Sequence, residues 1–141
     1  IKDFNSFEGE AAMSLEACAR INQSFNHEYY SFNLIENIVD YDIMLNELLM
    51  DLNKGLAKEY IAYKVFYSLA KLIEFVSDKM NCNKLAFSGG VFQNALLVDM
   101  IVDLLSSTRE LYFHQQLSPN DECISFGQIA YYQIKKQNIN F

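Results

Sequence analysis

Apolar residues recur at helical spacing along most of this chain, and the longest such pattern runs from Ala57 to about Met80. Apolar side chains cover more than half of the circumference of this predicted helix, so we expect it to be the central packing element. Its narrow polar face should remain in water. That face consists of Lys64, Ser68, Lys71 and Asp78.

The N-terminal part of the chain predicts two further helices. The first should begin after Ser6 as its N-cap and end near Ile21. Its buried stripe is predicted to be Ala11, Ala12, Leu15, Cys18 and Ala19. The second should run over residues 42–53, with Gly55 as its C-terminal stop. Between these helices, two short apolar runs around Ile35, Glu36 and Asn37 could form a small hairpin.

A strand, a glycine turn and a helix are predicted to follow one another within residues 85–106. The run from Leu85 to Phe87 is short and uncharged, as is typical of a strand buried on both faces of a parallel sheet. Gly89 and Gly90 come next, directly before a helix expected from about Phe92 to Ser106. Free N–H groups at a helix start suit a phosphate. Taken alone, however, such a turn is more often required only for packing.

A second strand at residues 111–114 and a last helix at about residues 121–136 complete the predicted elements. A strand, a helix and a strand in this order imply a parallel pair with a right-handed crossover. Parallel sheets are normally wider than two strands. We therefore expect an incomplete sheet, or one completed by a second copy of the chain as a homodimer. Because the chain starts at Ile1 and not at methionine, we also expect a fragment of a longer protein.

Composition and charge exclude several classes of partner. The chain has 141 residues, of which 51% are hydrophobic. That content is enough for one folded domain. Its net charge of -7 disfavours nucleic acid, and charged residues interrupt every long apolar run, so we expect no membrane span. The widely spaced Cys18, Cys82 and Cys123 are typical of reduced thiols in a cytoplasmic protein. His27 and His114 are isolated and are not predicted to be ligands or bases.

Four blocks of sequence carry a resemblance to a known family. They are Ser-Gly-Gly-Val-Phe-Gln-Asn at residues 88–94, the segment from Ser118 to Ala130 with Ser-Pro-Asn-Asp and Phe-Gly-Gln-Ile-Ala, the segment at residues 6–16, and the segment at residues 61–70. In this order they closely resemble the C-terminal end of the HypF-type carbamoyltransferases of nickel-iron hydrogenase maturation. The blocks extend over nearly the whole chain.

The resemblance implies a helix-rich α/β fragment of an actin-like ATPase (RNase H-like) domain. Residues 1–141 would form the C-terminal part of a carbamoyl-transfer domain, and acylphosphatase-like, zinc-finger and carbamoyl-adenylate-forming domains would lie upstream. The family uses carbamoyl phosphate and ATP to make carbamoyl-adenylate. It then transfers the carbamoyl group to a cysteine thiolate of a partner maturation protein, towards the cyanide ligands of the hydrogenase.

The same resemblance implies which residues bind the nucleotide. Gly89 and Gly90 would approach its phosphate-bearing part, and Asn94, one turn into the helix, would offer an amide. Glu8 and Gly9 would lie near the ribose. Each polar residue also has an ordinary structural interpretation. Asn94 could be a simple first-turn residue, and Glu8 would stabilise a helix start without any ligand.

Asp121 has two interpretations, and no catalytic residue is assigned. In the resembled family an aspartate here joins two histidines from earlier in the domain around a divalent metal, which could be iron, zinc or magnesium. An aspartate between a proline and an apolar helix is also a typical N-cap. The sequence departs from the family pattern at Tyr67, Ala95, Glu122 and Cys123.

Two other functions compete with carbamoyl transfer. One is a different actin-like nucleotide-dependent transferase, such as a tRNA-modifying enzyme, which would depend on tRNA. The other is a non-catalytic helical module for docking or dimerisation, which would lack an intact nucleotide site in the full-length protein. The negative net charge and the Phe-Gln-Asn sequence at residues 92–94 argue against the tRNA-dependent enzyme.

Overall fold

The computed structural model of the protein describes residues 4–21, 27–36 and 38–138. In chain order its helices and strands are α1 (Glu10–Arg20), β1 (Asn33–Ile35), β2 (Ile38–Asp40), α2 (Asp42–Asn53), α3 (Lys58–Lys79), β3 (Lys84–Ala86), α4 (Ala95–Leu105), β4 (Glu110–Tyr112) and α5 (Ile124–Asn138). Short 3₁₀ turns precede α4 and α5. Strands β1 and β2 pair antiparallel, and β3 pairs parallel with β4. The predicted helix-rich α/β class, the parallel pair and the hairpin are confirmed, although Asn37 lies outside the described residues.

Helix α3 is the centre of the packing, as predicted. It packs against α1 and α4, and more lightly against α2. Ala62 and Ala70 of α3 and Ala19 of α1 are completely buried, which allows the helix backbones to approach closely. The buried cluster around them comprises Cys18, Ala19, Ala62, Tyr63, Phe66, Ala70, Phe87, Leu97, Met100, Ile101 and Leu105.

Most of the polar face of α3 is covered by other parts of the chain, which corrects the sequence prediction that it remains in water. Ser68 is only 1% exposed, and its hydroxyl accepts a hydrogen bond from the Tyr30 N–H at 2.7 Å and donates to the Lys64 carbonyl at 2.6 Å. Lys71 is half-buried as well, whereas Asp78 is exposed as expected. The chain around Tyr30, 38 residues before Ser68, covers this face. Helical periodicity within α3 could not reveal that contact.

Lys64 and Asp51 form an ion pair between α3 and α2. The Lys64 Nζ lies 2.8 Å from the Asp51 Oδ2, and the two side chains are only 13% and 10% exposed. The same Nζ lies 4.1 Å from the centroid of the Tyr30 ring, close enough for a cation–π contact. The hydrogen bond from Lys64 lowers the pKa of Asp51. Burial and the nearby Asp51 carboxylate raise the pKa of Tyr30. Within the described residues, the Tyr30 hydroxyl has no hydrogen-bond partner at normal geometry.

The ends of the helices follow recognisable local rules. Helix α2 spans the predicted residues, and Gly55 closes it with a φ of 71°. The N–H groups of Gly55 and Leu56 bond back to the carbonyls of Leu52 and Asp51, which is a Schellman motif. The predicted helix stop at Gly55 is therefore confirmed.

The start of α1 differs from its prediction. Gly9, with a φ of 84°, is the N-cap, whereas the N–H and hydroxyl of Ser6 both donate to the Glu10 carboxylate at 2.6 and 2.9 Å. Ala11 and Ala12 lie on the same side of the helix as Cys18 and Ala19, but in its first turn they are exposed. Cys18 and Ala19 of the predicted stripe are buried.

The strand pair is shorter and more open than expected. Leu85 is half-buried but Ala86 is exposed, so β3 is not buried on both faces. Its partner β4 begins one residue earlier than predicted and ends before His114. The pattern is that of a sheet with one covered face. Among the described helices, none combines the length and the apolar character needed to cross a bilayer.

Replacing Lys64 by methionine should lower the free energy of unfolding by roughly 3 kcal/mol at neutral pH, because Asp51 would remain buried with only the exposed Lys54, whose Nζ is 3.8 Å from its Oδ1, as a cation. In the parent, the lowered pKa of Asp51 adds stability above its ordinary value of 3.8, and that stability is lost as the pH falls through the folded-state pKa. The penalty of the variant should therefore shrink in acid. Urea unfolding at pH 7 and at about pH 3 measures both effects.

Lys71→Met is the matched control. The Lys71–Glu74 pair is more exposed, with side chains at 24% and 27%. Its loss should therefore cost less than about 1 kcal/mol. Equal losses from the two variants would contradict a special role for the Lys64–Asp51 pair.

Candidate functional site

The candidate site lies at the carboxyl ends of β3 and β4, where the segments at residues 87–94 and 113–121 come together. The Phe87 N–H donates to the Tyr112 carbonyl at 2.9 Å, so the two chains stay paired just beyond the strands. In α/β sheets, ligands bind in the crevice outside this edge. The sequence-predicted Gly89, Gly90, Asn94 and Asp121 all belong to these two segments.

Three phenylalanines hold the two segments in place. Phe87 is buried, stacks on Phe113 with ring centroids 4.6 Å apart, and meets Phe92 edge-on at 5.1 Å. Each ring comes from a different part of the site: the end of β3, the end of β4 and the 3₁₀ turn before α4. Such aromatic pairs stabilise beyond their buried area. The packing of these three rings therefore supports the backbone of both segments.

Gly89 and Gly90 have different roles in the turn. Gly89 has a φ of 113° and a ψ of 152°. This conformation is open essentially to glycine alone. The Gly89 N–H donates to the Pro119 carbonyl at 2.6 Å, which ties the turn to the second segment. A Cβ built on either glycine would meet no atom within 4 Å, so both border open space. Of the two, Gly89 alone has a backbone conformation that requires glycine.

The sequence predicted that the glycines lie directly before α4, and this is wrong. A 3₁₀ turn over Gly90–Gln93 intervenes, and α4 begins only at Ala95. Asn94 has an extended backbone and is the N-cap of α4, since its Oδ1 accepts from the Leu97 N–H at 2.8 Å. It is therefore a helix cap and not a first-turn residue.

The N-terminus of α4 is already occupied by a carboxylate of the chain. The Glu16 Oε1 accepts from the Leu96 N–H at 3.2 Å, and Arg20 donates to the same oxygen at 2.8 Å. The next amide, that of Leu97, donates to the Asn94 side chain. The start of α4 is therefore not the open anion site that we predicted. Among the described residues, the amides of Gly90 and Val91 at the start of the 3₁₀ turn and of Ala95 at the start of α4 have no acceptor within their helices.

Side chains also join the two segments. The Gln93 Nε2 donates to the Ser118 Oγ at 3.0 Å, and the His114 Nε2 lies 3.1 Å from the Ser88 Oγ. Sequence analysis set His114 aside as isolated. The available signal was its position at the carboxyl end of a predicted parallel strand. Ligand-binding residues gather at that edge of an α/β sheet.

The structure changes the interpretation of Asp121. Asn120, one residue earlier, caps the 3₁₀ turn at Asp121–Cys123, since its Oδ1 accepts from the Glu122 N–H at 3.1 Å. Asp121 is exposed, so the capping role predicted for it belongs to its neighbour. In the part of the chain that the structure describes, no three histidine, cysteine, aspartate or glutamate side chains come together as a metal site.

Glu8 and Gly9 lie at the beginning of α1. Glu8 is exposed, and the carbonyl of Gly9 accepts the Met13 N–H at 3.0 Å as α1 begins. Helix α1 reaches the candidate site through Glu16, two turns further along. Among the described residues, however, no hydrogen bond joins Glu8 or Gly9 to the glycine turn.

Comparison with known proteins identifies the family. Residues 1–128 match the family described as carbamoyltransferase, Kae1-like domain, second subdomain. Carbamoyltransferase HypF of Synechocystis sp. is 32% identical over 130 residues, which are 88% of this chain and 16% of that protein. The probable carbamoyltransferase HypF of Methanocaldococcus jannaschii is 28% identical over 139 residues, 92% of this chain and 17% of that protein. The chain thus spans about one-sixth of the length of these curated relatives.

Two crystal structures have a similar fold. Full-length HypF in its phosphate- and nucleotide-bound form superimposes with a TM-score of 0.76 at 30% identity, covering 90% of this chain and 21% of that one. HypF of T. kodakarensis gives a TM-score of 0.69 at 21% identity, covering 83% and 16%, which is a likeness of fold. The chain belongs to the HypF carbamoyltransferase family and corresponds to the second subdomain of its Kae1-like domain.

Proposed function

We propose that this chain is part of the transfer domain of a carbamoyltransferase. The full-length enzyme would use ATP and carbamoyl phosphate to make carbamoyl-adenylate and pass the carbamoyl group to a cysteine of a partner hydrogenase-maturation protein. The observation that carries the proposal is the similarity to full-length HypF, which was crystallised in a phosphate- and nucleotide-bound form and is 30% identical over 90% of this chain.

In the transfer step, the cysteine thiolate attacks the carbamoyl carbon. A carbon–sulfur bond forms, the bond from that carbon to the phosphate oxygen breaks, and AMP leaves with the electron pair. The contribution of this chain would be to hold the phosphate of the adenylate in a fixed place for attack. The N–H groups of Gly90 and Val91 would donate to the phosphate oxygens, and Gly89 would set the direction of the turn.

The other proposed nucleotide contacts come from the side chains of Asn94 and Glu8. The Asn94 Oδ1 is committed to its cap, which leaves the Nδ2 hydrogens to donate to the ligand. Glu8, exposed beside Gly9 at the start of α1, would accept from a ribose hydroxyl. The described residues alone do not fit a metal site. If Asp121 is a ligand of a divalent metal, as the resemblance implies, the other ligands would lie outside this chain.

Gly90→Val in the full-length protein should raise the Kd for AMP by about tenfold or more, because the new side chain enters ligand space. The melting temperature without ligand should change little, since that space is empty of protein atoms. Gly89→Val is the matched control. It should lower the free energy of unfolding by about 2 kcal/mol through backbone strain. Titration calorimetry and urea unfolding measure the two effects, and an unchanged Kd for Gly90→Val would remove the phosphate-turn assignment.

Asn94→Asp tests whether the amide of Asn94 binds the nucleotide. Aspartate caps a helix as well as asparagine does, so stability should stay within about 0.5 kcal/mol of the parent. The variant loses the Nδ2 donors and adds a negative charge, so AMP affinity should fall by about tenfold or more. AMP affinity equal to that of the parent would leave Asn94 as a helix cap alone.

Asp121→Asn tests the proposed metal ligand. Because Asn120 already caps the 3₁₀ turn, the substitution should leave the melting temperature of the full-length protein nearly unchanged. The amide lacks the negative charge that a carboxylate ligand supplies, so bound metal and the rate of carbamoyl transfer should both fall sharply. Metal analysis together with a transfer assay checks this. Glu122→Gln is the control, and parental values for both variants would exclude Asp121 as a ligand.

A further inference from the structure

His114 and Ser88 form a polar pair at the mouth of the candidate site. His114 lies two residues beyond β4, and Ser88 comes directly before Gly89. The His114 Nε2 and the Ser88 Oγ are 3.1 Å apart, and both residues are exposed. A ligand that approaches the open space beside Gly90 would therefore also approach this pair.

The hydrogen bond with Ser88 occupies Nε2 and leaves the other ring nitrogen for a ligand. When the Ser88 hydroxyl donates to Nε2, the neutral imidazole carries its proton on Nδ1. In the part of the chain that the structure describes, the His114 Nδ1 has no hydrogen-bond partner. An exposed N–H is thus held beside a turn whose free amides are also donors. Phosphate oxygens are acceptors, so these donors suit the same group.

We propose that His114 is a phosphate-binding residue of the nucleotide site and that Ser88 orients its imidazole. This inference rests on the proposed function, because it takes the nucleotide to bind at the glycine turn. Segments 87–94 and 113–121 contain no lysine or arginine, so a phosphate bound there would depend on neutral donors such as the imidazole N–H of His114. The phosphate is that of a nucleoside monophosphate unit, as in AMP or an adenylate.

Two substitutions separate phosphate binding from a purely structural link to Ser88. The amide of asparagine takes the place of Nδ1, whereas the longer glutamine places its amide where Nε2 was. In the full-length protein, His114→Gln should therefore raise the Kd for AMP by about tenfold, and His114→Asn by no more than about threefold. The Kd for adenosine, which has no phosphate, should stay unchanged in both. Titration calorimetry with AMP and with adenosine measures all four values.

The opposite order, with glutamine retaining AMP affinity and asparagine losing it, would overturn the proposal, and so would equal losses for AMP and adenosine. His27→Gln, which changes the other histidine of the chain, is the matched control and should bind AMP as the parent does. Gly90→Val is measured alongside. If it weakens AMP binding while both His114 variants bind normally, only the role of His114 fails. If Gly90→Val also binds normally, the glycine-turn site of the proposed function fails.

Discussion

The fold depends on the burial of α3 on its apolar and its polar sides at once. Against α1 and α4, completely buried alanines allow close packing without voids. On the remaining side, Lys64 and Ser68 lose water, and a buried cation or hydroxyl without partners is costly. Asp51 and the Tyr30 N–H supply those partners. Helix α2 and the chain around Tyr30 are therefore placed by the polar groups of α3 as much as by hydrophobic contact.

This packing reaches the candidate site through α4. Met100 and Ile101 of α4 belong to the same buried cluster as α3, while Glu16 of α1 binds the Leu96 N–H at the other end of the helix. The glycine turn is thus held by β3 on one side and by a fixed helix on the other. A site that works mainly by positioning a ligand needs such support, because small displacements cost rate.

The sequence predicted what local patterns determine. Helices α2 and α3 and the Gly55 stop each depend on periodicity or turn chemistry within a few residues. The parallel pairing joins the distant Lys84 and Glu110, but the order of strand, helix and strand implies it. The burial of Ser68 and the carboxylate of Glu16 at α4 depend on partners 38 and 80 residues away, which no local pattern shows. At the site, the two glycine positions were visible from sequence. Asn120 and Asp121 are adjacent and cap equally well, so sequence could not choose between them. The pairing of His114 with Ser88 needed the three-dimensional arrangement.

The chemistry of the site edge favours a particular form of nucleotide. Its donors are neutral amides and one histidine, and the two segments carry no lysine or arginine. Neutral donors suit the single negative charge of an adenylate phosphate, whereas the several charges of a triphosphate call for lysine or arginine in addition to a metal ion. On the proposed function, the pyrophosphate of ATP would therefore be released at a different site. This chain would then receive an adenylate that is already formed.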